Sequence, residues 1–284
     1  MKKAAIALTI TAVLLTACGP GGMKHSGTMD HSGSMNDSDH GNMDGMTMVA
    51  DKTQAENIKA KFMLSNDQPQ PNQSATITVR IQDKDGNPVN DFDVQHEKLM
   101  HMIIVRKDLS YFNHIHPDYK GNGEFTITTQ FPTAGEYEII SDIAPTGIGA
   151  MSKSEWITVQ GTAPAVQPIN PDPTLTKEVD GKEVTLSINH LMANMELELN
   201  FNIKDAQTKQ PITDLQPFLG AVGHVVILND KGGEYLHVHP AEENSSGPDA
   251  KFMATFPHSG VYKIWGQFQQ NGKVFTVDFV IEVP

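Results

Sequence analysis

The sequence predicts an all-β protein in which two tandem β-sandwich domains follow a disordered N-terminal tail. From about residue 58 onward, short runs of alternating apolar and polar residues are separated by turn residues, which is typical of strands. The skeleton of one stretch, His101 to His116, appears again 123 residues later as His224 to His239. A repeat of this length predicts two domains of the same fold. No long helical pattern occurs in either half.

The first seventeen residues have the pattern of an export signal, with Lys2 and Lys3 before an apolar segment too short to span a bilayer. Leu15-Thr16-Ala17-Cys18 resembles the bacterial lipoprotein box. That resemblance implies cleavage before Cys18 and a diacylglyceryl group on its sulfur. We therefore expect an extracytoplasmic protein, lipid-anchored to a bacterial membrane. Since Cys18 is the only cysteine, no thiol remains for disulfides, redox catalysis or metal binding.

The chain is acidic, with 34 Asp and Glu against 21 Lys and Arg and a formal net charge of −13. Such a surface repels nucleic acid and favours cationic partners, so we expect no nucleic-acid binding. Metal ions are partners that fit this charge.

Residues 18–57 are predicted to form the disordered tail, because they hold too few aromatic and β-branched residues to build a core. Thioether sulfur suits Cu(I) and Ag(I), and imidazole suits Cu(II) or zinc, so a tail that combines them points to copper or silver. The candidate ligands of the tail are Met23, His25, Met29, His31, Met35, His40, Met43, Met46 and Met48.

Residues 58–160 predict the first domain. Seven short strands in about a hundred residues are typical of an immunoglobulin-like β-sandwich. The predicted strands are 61–64, 75–82, 100–106, 111–116, 123–131, 135–141 and 155–159.

Residues 161–175 carry four prolines and predict a semi-rigid extended linker. Residues 176–284 then repeat the first domain. Phe256-Pro-x-x-Gly-x-Tyr262 repeats Phe131-Pro-x-x-Gly-x-Tyr137, a pattern that we interpret as structural, with the tyrosine anchoring a corner.

The repeated histidine stretch predicts a three-histidine face in each domain. A turn at Asp108-Leu109 pairs residues whose numbers sum to 217, which places His101 opposite His116 with His114 on the same face. A turn at Lys231-Gly232 gives a sum of 463 and pairs His224 with His239, with His237 beside them. Opposed side chains lie close enough to share one ion, so each face is a candidate site for copper or zinc.

The same faces also carry apolar side chains, so histidines packed in a core would show the same pattern. These apolar residues are Ile103, Val105 and Phe112 in the first copy and Val226, Leu228 and Tyr235 in the second. The tail favours the metal interpretation. His96, in the loop before the first face, is a further candidate ligand, together with Met100 or Met102.

Enzymatic chemistry is not expected. Blue-copper and multicopper sites need a cysteine that the domains lack, and no nucleophile motif is present. Over 58–160 and 176–284 the chain resembles the YtkA-like family of exported immunoglobulin-like modules, and its hairpin resembles the Met-His-x-Ile-x-Val…His-x-His-Pro segment of bacterial proteins associated with copper handling. That resemblance implies an extracytoplasmic β-sandwich with a link to copper.

The working hypothesis is a membrane-anchored lipoprotein that captures, buffers or hands on copper, in metal resistance or homeostasis. The tail would capture ions, and the two hairpin sites would hold them or pass them to an envelope metal-transport protein. Because ligating imidazoles must be neutral, binding is expected to weaken steeply below about pH 6. The alternative is a structural or adhesion-type envelope lipoprotein that binds another protein, with the histidines packed for stability.

Overall fold

Two antiparallel β-sandwiches occupy the part of the chain that the computed structural model describes, which is residues 50–232, 235–236, 238–242 and 244–284, with the side chain of His239 left out. Both belong to one compact unit. The predicted all-β fold with two immunoglobulin-like domains is confirmed. Cys18 and the Met/His array of the tail lie outside the described residues.

The first sandwich is built from two four-stranded sheets with the orders β1-β2-β6-β5 and β4-β3-β7-β8. Its strands are β1 (Lys59–Leu64), β2 (Ser74–Gln82), β3 (Met100–Arg106), β4 (Phe112–Ile115), β5 (Asp118–Gly121), β6 (Glu124–Gln130), β7 (Gly135–Ile143) and β8 (Met151–Val159).

The second sandwich has a five-stranded sheet of order β14-β15-β11-β10-β9 and a four-stranded sheet of order β13-β12-β16-β17. Its strands are β9 (Thr176–Val179), β10 (Lys182–Ile188), β11 (Glu196–Asp205), β12 (His224–Asn229), β13 (Tyr235–Leu236), β14 (His239–Pro240), β15 (Asp249–Thr255), β16 (Gly260–Gln270) and β17 (Lys273–Val283).

Strand β3 is buried along its whole length because both of its faces are covered. Met100, Met102 and Ile104 belong to the core of the first sandwich. Ile103 and Val105, which alternate with them, belong to a separate apolar cluster. Alternate residues of β3 therefore face the sandwich core and the separate cluster, which is why this strand is almost continuously apolar.

That separate cluster is the interface between the two domains. The first domain contributes Ile103, Val105, Leu109 and Ile140, and the second contributes Val226, Leu228 and Trp265, all buried. Phe112 stacks on Trp265 with 4.8 Å between the ring centroids. The apolar residues that share each face with the histidines therefore face the other domain, so they belong neither to a sandwich core nor to the solvent-exposed surface.

A tyrosine corner closes each sandwich as the repeated motif predicted. The hydroxyl of Tyr137 donates to the carbonyl of Thr133 at 2.9 Å, and that of Tyr262 donates to the carbonyl of His258 at 3.0 Å. Both tyrosines are buried. The motif therefore serves the fold, as tyrosine corners do in other sandwiches.

Residues 50–57 correct the predicted tail, which was expected to continue to residue 57. They include a short helix, α1 (Lys52–Glu56), whose N-cap Asp51 accepts a hydrogen bond from the amide of Thr53 at 2.9 Å. Lys153 donates to the carbonyl of Ala55 at 2.7 Å, and Ala55 packs against the first core. A five-residue helix is too short for a periodic signal. Within the described residues no helix is long and apolar enough to cross a membrane.

The proline-rich linker is held against both domains. Arg106 donates to the carbonyl of Pro164 at 3.1 Å, and the amide of Asp172 donates to the carbonyl of Val280 at 2.9 Å. Ile169 packs on the interdomain cluster. The linker thus follows the surface of the domain pair and contributes to the interface.

Candidate metal centre

The first hairpin has the register that its spacing predicted. Met102 pairs with Ile115, Ile103 with His114 and Val105 with Phe112, so paired residue numbers sum to 217. One step further along, this register sets His101 opposite His116. The positive φ of 53° at Leu109 closes the turn.

The three histidines of this hairpin converge. One nitrogen from each of His101, His114 and His116 lies within 4.8 Å of the others. The ring centroids are 5.2 Å apart for His101 and His114, 4.9 Å for His101 and His116, and 4.8 Å for His114 and His116. His101 is buried, and the other two are partly exposed. We call these three residues the triad.

Protein acceptors fix which nitrogen of two triad rings carries the proton. Nε2 of His101 lies 2.9 Å from the carbonyl oxygen of Gln95, so Nε2 is protonated and Nδ1 keeps its lone pair. Nδ1 of His114 lies 2.7 Å from Oε1 of Gln267, whose amide nitrogen donates to Thr276. In this amide orientation, Nδ1 of His114 donates and Nε2 keeps its lone pair.

The two lone pairs face each other. Nδ1 of His101 and Nε2 of His114 are 3.0 Å apart, so either a proton or a metal ion must lie between the two nitrogens. Two ligands at the usual metal–nitrogen distance and a tetrahedral angle would lie about 3.3 Å apart, so a small outward shift admits an ion. Nε2 of His116 is buried without a hydrogen-bond partner among the described residues. A third donor therefore lies beside the pair.

Burial keeps the cluster neutral. Desolvation, together with the neighbouring His101, lowers the pKa of His114 to about 4. Desolvation followed by the charges of His114 and His101 lowers the pKa of His116 to about 3. Neutral imidazole is the form that binds a metal, so the rings are ready to ligate well below neutral pH.

The second hairpin also has its predicted register, and it adds His224 to the same cluster. Ile227 pairs with Leu236 and Leu228 with Tyr235, so paired residue numbers sum to 463. The ring of His224 is stacked on that of His101 at 5.7 Å and lies 5.9 Å from that of His114.

The second copy was predicted to form a site of its own. His237 and the side chain of His239 lie outside the described residues, so that triad stays a prediction. His224 itself lies beside the first triad, because the two hairpin faces pack against each other across the domain interface.

Two residues that were not predicted as site residues, Asp142 and Gln267, each form a hydrogen bond to the other domain. Asp142 pairs with His101 in the first domain, and Gln267 pairs with His224 in the second. Asp142 accepts a hydrogen bond from the hydroxyl of Tyr235 at 2.8 Å, while Gln267 accepts from His114. Each is a buried polar residue in an apolar strand. That pattern is the signal that could have marked them.

The other candidate ligands separate into two groups. The ring of His96 lies 4.7 Å from that of His224 and 6.1 Å from that of His101, which places His96 in the cluster. Met100 and Met102 point the other way, into the first core, so the structure does not bring them to the histidines.

A cleft of about 350 Å³ at the domain boundary reaches His114 of the triad. His114 and Gln267 line it together with Asn113, Thr276 and Asp278.

A domain of unknown function, DUF8832, matches the chain twice, over residues 53–159 and 177–284. The two matches coincide with the two sandwiches. No curated protein matches the chain.

Among solved structures, the chain is similar to the adhesin FdeC of Escherichia coli, with 17% identity over 79% of this chain and 64% of that chain and a TM-score of 0.28. It is also similar to the adhesin InvE of Yersinia pseudotuberculosis, with 11% identity over 79% of this chain and 60% of that one and a TM-score of 0.27. A two-domain fibronectin type III segment of chicken tenascin matches with 9% identity over 78% of this chain and 97% of that one, at a TM-score of 0.24. The chain spans less than two thirds of both adhesin structures.

Proposed function

Because the chain belongs to the DUF8832 family, for which no function is known, we propose a function from the histidine cluster: the protein binds copper at the triad. It is an extracytoplasmic, lipid-anchored protein that buffers copper or hands it to an envelope transport protein. The lipid anchor at Cys18 and the Met/His tail belong to this proposal on sequence grounds, and the acidic charge favours capture of cations.

The observation that carries the proposal is the pair of opposed lone pairs on His101 and His114, 3.0 Å apart. In each ring the nitrogen that does not face the other ring donates a hydrogen bond to a carbonyl oxygen. Proteins orient metal-ligating histidines in this way. Asp142 lies directly opposite His101 on the neighbouring strand, and its carboxylate is buried. This negative charge would offset part of the charge of the ion. These features support a metal ligand set, whereas the resemblance to adhesin domains does not bear on it.

Copper is favoured over zinc by the combination of an all-imidazole site with the thioethers of the tail, since soft sulfur ligands select Cu(I) and imidazole accepts both oxidation states. Zinc and silver are the competing ions. Three histidines leave an open position, as hand-off to a partner requires.

The test is a titration of residues 50–284 with Cu(II) and, separately, with Zn(II). All the described contacts of both cores lie within this fragment. We expect the fragment to bind Cu(II) more tightly than Zn(II), and we expect His114→Leu to weaken binding of the first Cu(II) equivalent by at least about a hundredfold. The exposed His258 provides a control, because His258→Leu should leave that affinity unchanged. Equal affinity in the wild type and His114→Leu would contradict the proposal.

A second candidate function is that of a structural or adhesion-type envelope lipoprotein that binds another protein, and the hydrogen bonds of the same histidines favour its premise that they are packed for stability. If the amide of Gln267 were reversed, His114 would donate to His101, and His101 to Gln95, in a chain that needs no metal. The histidines would then only stabilise the domain pair. This function predicts that His114→Leu lowers the melting temperature while wild type and His114→Leu bind Cu(II) with equal affinity.

A further inference from the structure

We propose that His96 and His224 form a second cation-binding pair, which binds its own ion and links the two domains. This inference rests on the proposed function, since it extends copper binding from the triad to the rest of the cluster. The two rings lie on different domains, His96 in the loop before β3 and His224 at the start of β12. Their centroids are 4.7 Å apart, closer than any pair within the triad.

The geometry of the cluster separates this pair from the triad. The rings of the triad lie 4.8–5.2 Å from one another, whereas His101 is 5.7 Å from His224 and 6.1 Å from His96. His114 is 5.9 Å from His224. Two short-range groups therefore lie side by side, with His101 between them.

His224 is oriented in the same way as His101. Its Nε2 lies 3.4 Å from the carbonyl oxygen of Leu219, a residue of the preceding loop. This long contact is a weak hydrogen bond in which Nε2 donates, and in that tautomer Nδ1 keeps the lone pair. The carbonyl of a preceding loop thus sets the tautomer of the first histidine in both copies, the second-shell arrangement that ligating histidines show.

The loop that carries His96 forms a tight turn that contacts the other domain. Gln95 and Lys98 exchange both backbone hydrogen bonds, at 2.7 and 2.8 Å, around a two-residue turn. His96 and Glu97 in that turn have φ values of 43° and 64°, a conformation that favours asparagine and glycine. Glu97 packs on Gly220, in the matching turn of the second domain.

The fold itself does not require histidine at this position. By the internal repeat of 123 residues, the counterpart of His96 is Leu219, which has a similar φ of 54° in the matching turn between Phe218 and Ala221. Leucine therefore satisfies the same backbone conformation in the second copy. Histidine in the first copy adds a donor nitrogen where the two domains meet.

The test uses residues 50–284 loaded with one and then two equivalents of Cu(II), followed by metal analysis and electron paramagnetic resonance. Two Cu(II) ions in neighbouring groups of this cluster would broaden each other's signal by dipolar coupling, which ions on remote surface histidines would not do. We expect the coupled signal at the second equivalent in the wild type and its loss in His96→Leu. His190→Leu, a change in an exposed loop histidine, should retain it.

The outcomes separate this inference from the proposed function. If His96→Leu keeps the coupled signal, or if the wild type never shows it, the second pair is refuted even when His114→Leu abolishes the first equivalent. If His114→Leu leaves the first equivalent unchanged, copper binding at the triad is refuted. Since leucine is the residue of the second copy, correct folding of His96→Leu is expected, and an unchanged melting temperature without metal would verify it.

Discussion

Acidification should destabilise the metal-free domain pair because its enclosed histidines resist protonation. Burial and the neighbouring histidines lower the pKa of His224 to about 2 and that of His114 to about 4, from an ordinary value of 6.5. Below pH 6.5 the unfolded chain binds protons at these rings that the folded chain does not bind. The free energy of unfolding must therefore fall as the pH falls through this window, down to the folded pKa values.

The size of the effect follows from the width of the window. At pH 5, which is 1.5 units below the unfolded pKa, each ring that stays neutral in the folded state contributes a loss of about 2 kcal/mol. His114 and His224 together predict a loss of about 4 kcal/mol between pH 7 and pH 5, a large part of the stability of a typical domain. The partly exposed His116, whose pKa is also lowered, adds to this loss. Urea unfolding followed by the fluorescence of Trp265, at the interface, measures it.

Substitution of one ring tests the origin of this loss. His224→Leu removes one titrating group and should reduce the difference between pH 7 and pH 5 by about 2 kcal/mol, whereas His258→Leu, at an exposed position, should leave the difference unchanged. If the free energy of unfolding were the same at both pH values, or fell equally in wild type and His224→Leu, the argument from buried neutral imidazoles would be wrong.

Three further predictions concern copper affinity and packing. Gln267→Leu removes the acceptor that orients His114 and should weaken Cu(II) binding, measured by titration, about 10–100-fold. Gln270→Leu, outside the cluster, should leave the affinity unchanged, and equal losses in both variants would contradict the orienting role of Gln267. Cu(II) affinity should change by no more than about tenfold between pH 7 and pH 5, because the lowered pKa values of His114 and His116 reduce competition from protons. A steep loss of affinity below pH 6, as expected for imidazoles with an ordinary pKa, would contradict this prediction. Gly223→Ala places a Cβ 2.5 Å from Phe268 and should lower the free energy of unfolding by about 1–3 kcal/mol, so an unchanged melting temperature would refute the tight packing.

The hairpins could be predicted from the sequence because their registers depend on local spacing alone. A turn of known length fixes every cross-strand pair, so the sums of 217 and 463 predicted which histidines face each other. The strand alternation and the tyrosine corners were predictable for the same reason. Each is a pattern within one short segment.

The joining of the two hairpins could not be predicted in this way. Ile103 and Val226 show only that a face is apolar, and the same pattern suits a sandwich core, a domain interface or a partner surface. Only the packing of one domain on the other brings His224 to the triad and Gln267 to His114. The helix α1 was missed because five residues span less than two helical turns, and the strand β5 was missed because Tyr119 is the only large apolar residue among its four.

The linker determines how the cluster assembles. Because residues 161–175 connect the two hairpin faces within one chain, their association is intramolecular and has an effective concentration set by the linker, independent of how dilute the protein is. Protease cleavage within this segment would turn the same contacts into an association of two separate molecules. The composition of the histidine cluster would then depend on protein concentration, as it does in a dimer.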